Sequence, residues 1–589
     1  MASDDTPPAN PTQHRQPSKA AWARWAPGLH TLMHYERQWL LPDIVAGLVL
    51  TAVLIPVGMG YAEASGVPAI HGLYATIIPL VAYAIFGPSR IMVLGPDSTL
   101  AAVIAALILP LANGSPERAV ALAGALALLS GVCSLVIAFA RLGIMADLFS
   151  KPIRIGFLNA IALTVIIGQL PKVLGFSVKA DGLVDKTILL VQGVLAGKVN
   201  GVALAIGGLS LGLILLVKHW RPVWPGVLLA VVGATVLSTW FDWGQTANIV
   251  VLGPLPAGIP LPQVPWVSWS DVTHLVPGAV IIAMLSFADT SVLSRSLAAR
   301  GNYRVSQNQE MLALGMANIA SGLFQGFSVS SSASRTPVAE SAGSRTQVTG
   351  LVGALAVVLL LVLAPRLLTH LPSALLGAVV IAACLSFADL RGMVALYRQR
   401  PMEFALSLIS FLGVAFVGVI EGIVIAIILA CLVLVWNAWH PHFATLARVD
   451  DLKGYHDVQR HPEGRFVPGL VIFRWDAQLF FANSEIFRQM VVQAVDEAAT
   501  PTRWVIIAAD AISDIDITAA ESLEALNNEL AQRSIELHFA GLRGRVKDRL
   551  DSYDLLDKIG RDHFKPTVGQ AVNVYRSQHE VDWKDWDEQ

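Results

Sequence analysis

Apolar stretches recur along the chain from residue 42 to residue 438, with polar breaks between them. They predict spans near 42–60, 68–87, 97–110, 118–140, 153–170, 201–217, 224–241, 275–293, 307–325, 333–341, 347–369, 373–388, 403–419 and 422–438. A helix needs about 20 apolar residues to cross a bilayer, so 97–110 and 333–341 are too short to cross alone. Each follows a polar break. RIMVLGPDSTL (90–100) is interrupted at Gly95-Pro96, and Asp97, Ser98 and Thr99 are residue types that open helices. FSVSSSASRTPVAESAGSRTQ (327–347) places serines, a proline and Arg335 between the apolar runs 311–324 and 348–364. Divided seven plus seven, the spans put the short one third in each half, the pattern of an inverted repeat with a midplane binding site.

The patterning changes after residue 440. Residues 441–468 are charged and read as a linker. LVIFRW (470–475), LFFAN (479–483), WVIIAAD (504–510) and IELHFAG (535–541) read as strands, and helices are expected at about 484–498, 514–533, 543–557 and 568–577. Alternating strands and helices predict a small soluble α/β domain over 469–578, followed by a tail, 579–589. At the other end, residues 1–41 form a polar, Pro-rich tail. It closes on Trp22, Arg24, Trp25 and Arg37, a mixture that suits a membrane interface.

Composition sharpens this picture. Of 589 residues 54% are hydrophobic and only 14% charged, with a mean hydropathy of +0.59. Soluble domains carry about 25% charged residues, so the chain reads as a polytopic membrane protein. Its net charge of −2 points to no nucleic-acid partner. Cys133, Cys384 and Cys431 lie in apolar runs without metal-ligand spacing. With no catalytic triad, Walker loop or zinc motif, neither an enzyme nor a cofactor or metal is expected. Lys and Arg cluster in alternate loops: Arg141, Lys151 and Arg154; Lys218 and Arg221; Arg295, Arg300 and Arg304; Arg391, Arg398 and Arg400. These predict cytoplasmic loops with both termini inside, while 241–274, free of Lys and Arg, falls outside. Lys172, Lys179 and Lys186 break the rule on the outer side. No early apolar leader is visible, which leaves a multi-pass protein of a bacterial-type inner (plasma) membrane.

Broken backbone at membrane depth is tolerated only where protein buries it or a watery cavity faces it. An arginine there marks a functional site by default. A short helix starting near Ala333 would turn its N–H groups, together with Arg335, towards that cavity, and an anion is the natural guest. The other reading makes Arg335 a counter-ion to Asp289. Asp289, in AMLSFADTSVLSRS, costs about 2.5–3.5 kcal/mol at a span centre. It reads as a group that exchanges a proton as the anion comes and goes, or as a structural hydrogen-bond partner. Asn159 and Gln169 read as interhelical hydrogen-bonding groups. Glu63, His71 and Glu340 read as helix-end or packing residues.

Two long motifs carry a resemblance. PVGMGYAEASGVPAIHGLYATIIPLVAYAIFGPSRIMVLGP (56–96) and NYRVSQNQEMLALGMANIASGLFQGFSVSSSASRTPV (302–338) occur in the order found in the sulfate permease (SulP) family, related to the animal multifunctional anion exchangers. The C-terminal part resembles a STAS domain, and the similarity covers nearly all of 42–578. The resemblance implies a transport domain over 42–440, with a core of spans 1–4 and 8–11 and a gate of spans 5–7 and 12–14. It implies an anion held between the facing ends of spans 3 and 10, at Asp97, Ser98, Thr99, Ser334 and Arg335, closed by Val57 and Tyr61 of span 1. Many members have Gln where this chain has Val57, so one donor is missing. Asp289 matches the carboxylate of proton- or sodium-coupled members. Leu293 stands where the sodium-coupled bicarbonate members have Thr, which favours protons over sodium even with Thr290 and Ser291 nearby. Thr518 occupies the position of the phosphorylated Ser of anti-sigma antagonists, and also suits a helix N-cap.

The expectation is a homodimeric secondary active transporter of a small inorganic oxyanion such as sulfate or bicarbonate, proton-coupled and working by alternating access. A C4-dicarboxylate carrier and an uncoupled exchanger or channel are the alternatives. A nucleobase permease and a membrane sensor with a STAS output are more distant rivals.

Overall fold

A computed structural model describes residues 25–140, 151–178, 180, 182–220, 226–254, 256, 258–301 and 303–588. Trp22, Arg24, Arg141, Lys179 and Arg221, used above for the tail and loops, lie outside the described residues. The chain forms two compact units, Met1–Ala430 and Cys431–Gln589.

In the first unit the spans are Leu40–Ala64 (span 1), Ile70–Phe86 (2), Ser98–Ala112 (3), Pro116–Phe139 (4), Lys151–Leu174 (5), Gly201–Trp220 (6), Gly226–Trp240 (7), Trp269–Gly301 (8), Gln307–Leu323 (9), Arg335–Ser341 (10), Val348–Leu363 (11), Ser373–Phe387 (12) and Pro401–Leu412, extended by the π-turn Gly413–Val417 (13). Span 14, Val419–Trp439, leads into the second unit. Three helices fall where loops were expected, Leu183–Leu195, Trp243–Thr246 and Leu390–Gln399. Span 8 runs to 33 residues, well beyond 275–293, because Asp271 extends its start by binding Arg118 of span 4 at 3.1 Å. The outer lysine that broke the charge rule, Lys172, is paired with Glu63 of span 1 at 2.8 Å, so Glu63 is an ion-pair partner rather than a plain helix end.

Spans 1–4 pack chiefly with spans 8–11, and spans 5–7 chiefly with 12 and 13. The crossing of spans 4 and 9 shows why close contact is possible. Gly124 and Gly131 face Gly322 and Gly315, and a Cβ added at Gly131 would lie 2.8 Å from the Gly315 carbonyl. Small residues replace the missing hydrophobic drive between helices in lipid by letting backbones touch. Between spans 2 and 3, Leu94–Gly95 forms a short strand, β1. Between spans 9 and 10, Ser330–Ser331 forms β2.

The second unit is built on a six-stranded sheet, β3 (Phe443–Arg448), β4 (Tyr455–Asp457), β5 (Leu470–Trp475), β6 (Trp504–Ala508), β7 (Glu536–Ala540) and β8 (Phe564–Lys565), in the order β4-β3-β5-β6-β7-β8. Strands β5 to β8 are parallel and β3 is antiparallel to both neighbours. Three sequence expectations change here. Residues 441–468 do not form a mere linker, since β3 and β4 belong to the sheet. LFFAN (479–483) is no strand: Leu479 makes one bridge to Ile515, and Asn483 then turns the chain by accepting from the Phe480 N–H at 3.0 Å. The tail 579–588 is docked. Arg448, with its side chain only 5% exposed, donates to Asp585 at 2.8 Å, to Asp587 at 3.0 Å and to the carbonyls of Leu452 and Gly454. Its guanidinium also lies over the Trp586 ring, and Arg465 and Arg576 lie over Trp583.

Replacing Arg448 by Ala removes these bonds and leaves two carboxylates facing each other. The soluble domain is expected to lose about 2–4 kcal/mol, read as an earlier urea midpoint by tryptophan fluorescence. An unchanged midpoint would mean that the docked tail contributes nothing.

Candidate functional site

The two broken segments meet. β1 and β2 pair antiparallel, Leu94 with Ser331 and Gly95 with Ser330, and Ser332 N–H continues the ladder to the Val93 carbonyl at 2.9 Å. Side chains satisfy much of the remaining backbone. Asn318 of span 9 accepts from Val329 N–H at 2.8 Å and donates to the Val329 carbonyl at 3.1 Å. Thr336 accepts from Val93 N–H at 3.1 Å, Ser321 donates to the Phe327 carbonyl at 2.7 Å, and Gln347 donates to the carbonyls of Ser89 and Met92 at 2.9 Å each.

This frame holds Arg335, whose residue is 1% exposed. Ser332 accepts from both its backbone N–H, at 3.1 Å, and its Nε, at 2.9 Å. One terminal nitrogen, Nη2, donates to the Pro96 carbonyl across the two breaks. The other, Nη1, is buried and has no hydrogen-bond partner among the described residues. It abuts Gly95, where an added Cβ would sit 2.9 Å away. Asp97 caps span 3, accepting from Thr99 N–H at 3.3 Å. Ser98, Thr99, Val57 and Tyr61 are all buried.

Span 10 is helical for only seven residues, so its share of a site rests on the Arg335 side chain rather than on a helix dipole. Ser334 is exposed, and among the described residues its hydroxyl pairs with Ser332 Oγ, at 3.3 Å. Ser332, absent from the sequence reading, is the serine that fixes the arginine. Asp289 has no hydrogen bond or ion pair among the described residues, and Arg335 is not its counter-ion. Arg154, assigned from sequence to a loop, lies in span 5. Two further buried carboxylates went unread. Asp43 accepts from Tyr35, from the N–H groups of Arg345 and Thr346 and from the hydroxyls of Thr346 and Thr349. Glu310 accepts from Tyr83 at 2.7 Å and from Ser89. The NQE triplet (308–310) carried the only signal for Glu310.

The sequence pattern of the sulfate permease family matches residues 40–410, and that of the STAS domain matches 461–571. The chain belongs to the sulfate permease family. It is 38% identical over 554 residues to a probable sulfate transporter of Mycobacterium tuberculosis, a match covering 94% of this chain and 98% of the relative. Its fold is that of the murine anion transporter Slc26a9 in the inward-facing state, with a TM-score of 0.85, 23% identity, and 96% and 97% of the two chains covered. It also aligns with the transmembrane domain of the cyanobacterial bicarbonate transporter BicA, with a TM-score of 0.58, 21% identity, and 68% of this chain and 98% of that one covered. These relatives are transporters, and the family is one of multi-pass membrane transporters, which supports a transport role for this chain rather than an enzymatic one. In its STAS domain, Thr518 is exposed at the second position of the helix Ile517–Gln532. Asp516, not Thr518, is the N-cap, accepting from Ala519 N–H at 2.8 Å.

Asn318→Leu keeps the volume of the side chain but strands the Val329 N–H and carbonyl. Each buried unpaired group costs about 1–3 kcal/mol. The variant is expected to unfold at a lower temperature in detergent and to lose anion binding with it. A stable, fully binding variant would show that this clamp does not hold the site.

Proposed function

We propose that this permease is a proton-coupled symporter of a small inorganic oxyanion, sulfate foremost. The observation that carries the reading is the buried, partnerless Nη1 of Arg335 between the ends of spans 3 and 10. A buried donor without an acceptor is costly, and an oxyanion supplies the acceptor in a charge-assisted bond. Ser98, Thr99 and Tyr61 are placed to donate further bonds, whereas Val57 contributes only apolar wall.

The charge balance supports coupling. Asp97 caps span 3 next to the Pro96 carbonyl that Arg335 holds, and Asp289 lies in span 8. An incoming sulfate adds two negative charges in a medium that screens poorly. A proton taken up by a carboxylate offsets part of that excess, so anion and proton assist each other, and the assistance is reciprocal. Asp289 is the better acceptor because its oxygens hold no structural bond, while Asp97 is occupied in capping. The loaded and empty carriers then move and the half-loaded ones do not. Movement takes place between a core of spans 1–4 and 8–11 and a gate of spans 5–7 and 12–14. The carrier works as a homodimer in the plasma membrane, with both termini on the cytoplasmic side, the side the loop lysines and arginines favour. Phosphorylation of exposed Thr518 would put negative charge at a helix N-terminus and regulate the STAS domain.

Uptake of labelled sulfate, bicarbonate and a C4-dicarboxylate into proteoliposomes, with and without an inward proton gradient, tests the proposal directly. Sulfate uptake that is indifferent to the gradient would overturn the coupling. Arg335→Ala is expected to weaken anion binding by about 1.5–3 kcal/mol, roughly ten- to hundredfold, measured on purified protein. Unchanged affinity would remove Arg335 from the site.

Asp289→Asn imitates the protonated acid. It is expected to keep anion exchange and to lose accumulation driven by protons. If Asp97→Asn loses that drive while Asp289→Asn retains it, the coupling group is Asp97.

A further inference from the structure

A separate cluster lies at the edge of the STAS sheet. Trp504 of β6, His538 of β7 and His563 of the turn before β8 stack their rings along the direction of strand pairing, with centroids 3.6 Å and 4.0 Å apart. Those spacings follow from neighbouring strands about 4.8 Å apart. Glu536 stands two residues before His538 on the same face of β7 and brings Oε2 to 3.1 Å from His538 Nε2 and 3.8 Å from His563 Nε2. All three candidate ligand atoms lie within 4.8 Å of one another.

We propose that Glu536, His538 and His563 bind one divalent transition-metal ion of the zinc type. Ligand bonds near 2.0–2.1 Å in a tetrahedron set donor atoms about 3.3 Å apart, and the observed separations bracket that value. The second observation is the setting of His563. Its Nδ1 lies 3.0 Å from the Leu537 carbonyl, an acceptor, so Nδ1 carries the hydrogen. With Nδ1 committed to that carbonyl, Nε2 is the ring nitrogen left to face the Glu536 carboxylate, the arrangement a ligand pair needs. A backbone carbonyl on the far nitrogen is also the usual outer partner of a metal-bound histidine. His538 is 2% exposed and clamped by Trp504, which fixes one ligand, while Glu536 is exposed and leaves a path for entry. The two imidazole rings are 23° from parallel, so His563, on its turn at the sheet edge, tilts towards the ion as it binds. Two histidines and one carboxylate leave a fourth position for water. The ion ties β7 to the turn that leads into the edge strand β8, and binding energy of that kind adds to folding stability.

The sequence carried only a faint trace of this, the Glu-x-His of 536–538, with the third ligand 25 residues on. The site is independent of the transport reading, since none of its residues belongs to the spans.

The test uses the purified full-length protein in detergent, titrated with Co2+ in the visible range and loaded with Zn2+ for metal analysis after dialysis. Wild type is expected to hold one ion per chain and to show a tetrahedral Co2+ spectrum. Glu536→Gln and His563→Ala are expected to weaken binding at least tenfold, and His456→Ala, in a different histidine cluster, to leave it unchanged. Zn2+ should raise the unfolding temperature of wild type and not of the two variants. A wild type that retains no ion, or a Glu536→Gln protein with normal circular dichroism that binds as tightly as wild type, overturns the proposal.

Discussion

A peptide backbone that leaves its helix inside a lipid bilayer must find every hydrogen bond within the protein. That constraint shapes the transport unit. Two segments are broken at membrane depth, and neither alone offers the other groups their partners. Paired as β1 and β2, they supply each other, and Asn318, Thr336, Ser321 and Gln347 supply much of the rest. Asn318 and Ser321 bond the stretch that follows their own span, while Thr336 and Gln347 bond backbone 243 to 258 residues away in sequence and so fix the chain after span 2 against the chain around span 10. The site is therefore a consequence of how broken chain is satisfied, and Arg335 enters it as one more such group, holding Ser332 and the Pro96 carbonyl with two of its nitrogens.

Asp43 plays the corresponding part at the base of the same unit. Its carboxylate binds the start of span 11 through two backbone N–H groups and two hydroxyls, which locks span 1 to the chain leaving span 10. A buried carboxylate survives only when paired or fully hydrogen-bonded, and this one is satisfied without a cation. Glu310 is held in the same way by Tyr83 and Ser89, joining span 9 to the exit of span 2. These are acids spent on architecture. Asp289 is the contrast: a carboxylate in span 8 that makes no such bonds among the described residues.

Much of this was legible in the chain. Apolar period and length located the fourteen spans, and Gly95-Pro96 and the serine-rich stretch before Arg335 marked the two breaks, because helix-breaking chemistry is local. Partnership was not legible. Nothing in the order of residues says that Ser332 rather than Ser334 holds Arg335, since that choice is made by the local turn, or that Arg335 reaches the Pro96 carbonyl, since that contact joins segments 239 residues apart. The soluble domain repeats the lesson. The charge of residues 441–468 concealed β3 and β4, whose apolar alternation is short and whose Arg448 looks like surface until Asp585 and Asp587 fold back onto it. Thr518 looked like a cap because a cap was needed there, and Asp516, two residues earlier, meets the need.

The same bonding pattern bears on movement. Hydrogen bonds within the group of spans 1–4 and 8–11 are dense, and each is made by groups that would be stranded if a span slipped. Across to spans 5–7 and 12–14 the contacts are of another kind: Gly60 of span 1 faces the Val380 side chain and Leu376 carbonyl of span 12, a smooth apolar meeting with little to unbond. Dispersion contacts of that sort are exchanged, not lost, when one body slides over another. Lys172 to Glu63 is a polar tie that does cross, from span 5 to span 1, with side chains 31% and 17% exposed. A partly exposed ion pair is worth little net, about 0–1 kcal/mol when fully wet and somewhat more when shielded, so it can bias a conformation without forbidding the other. Rigidity inside each group and slipperiness between them would leave the frame around Arg335 intact if one group moved against the other.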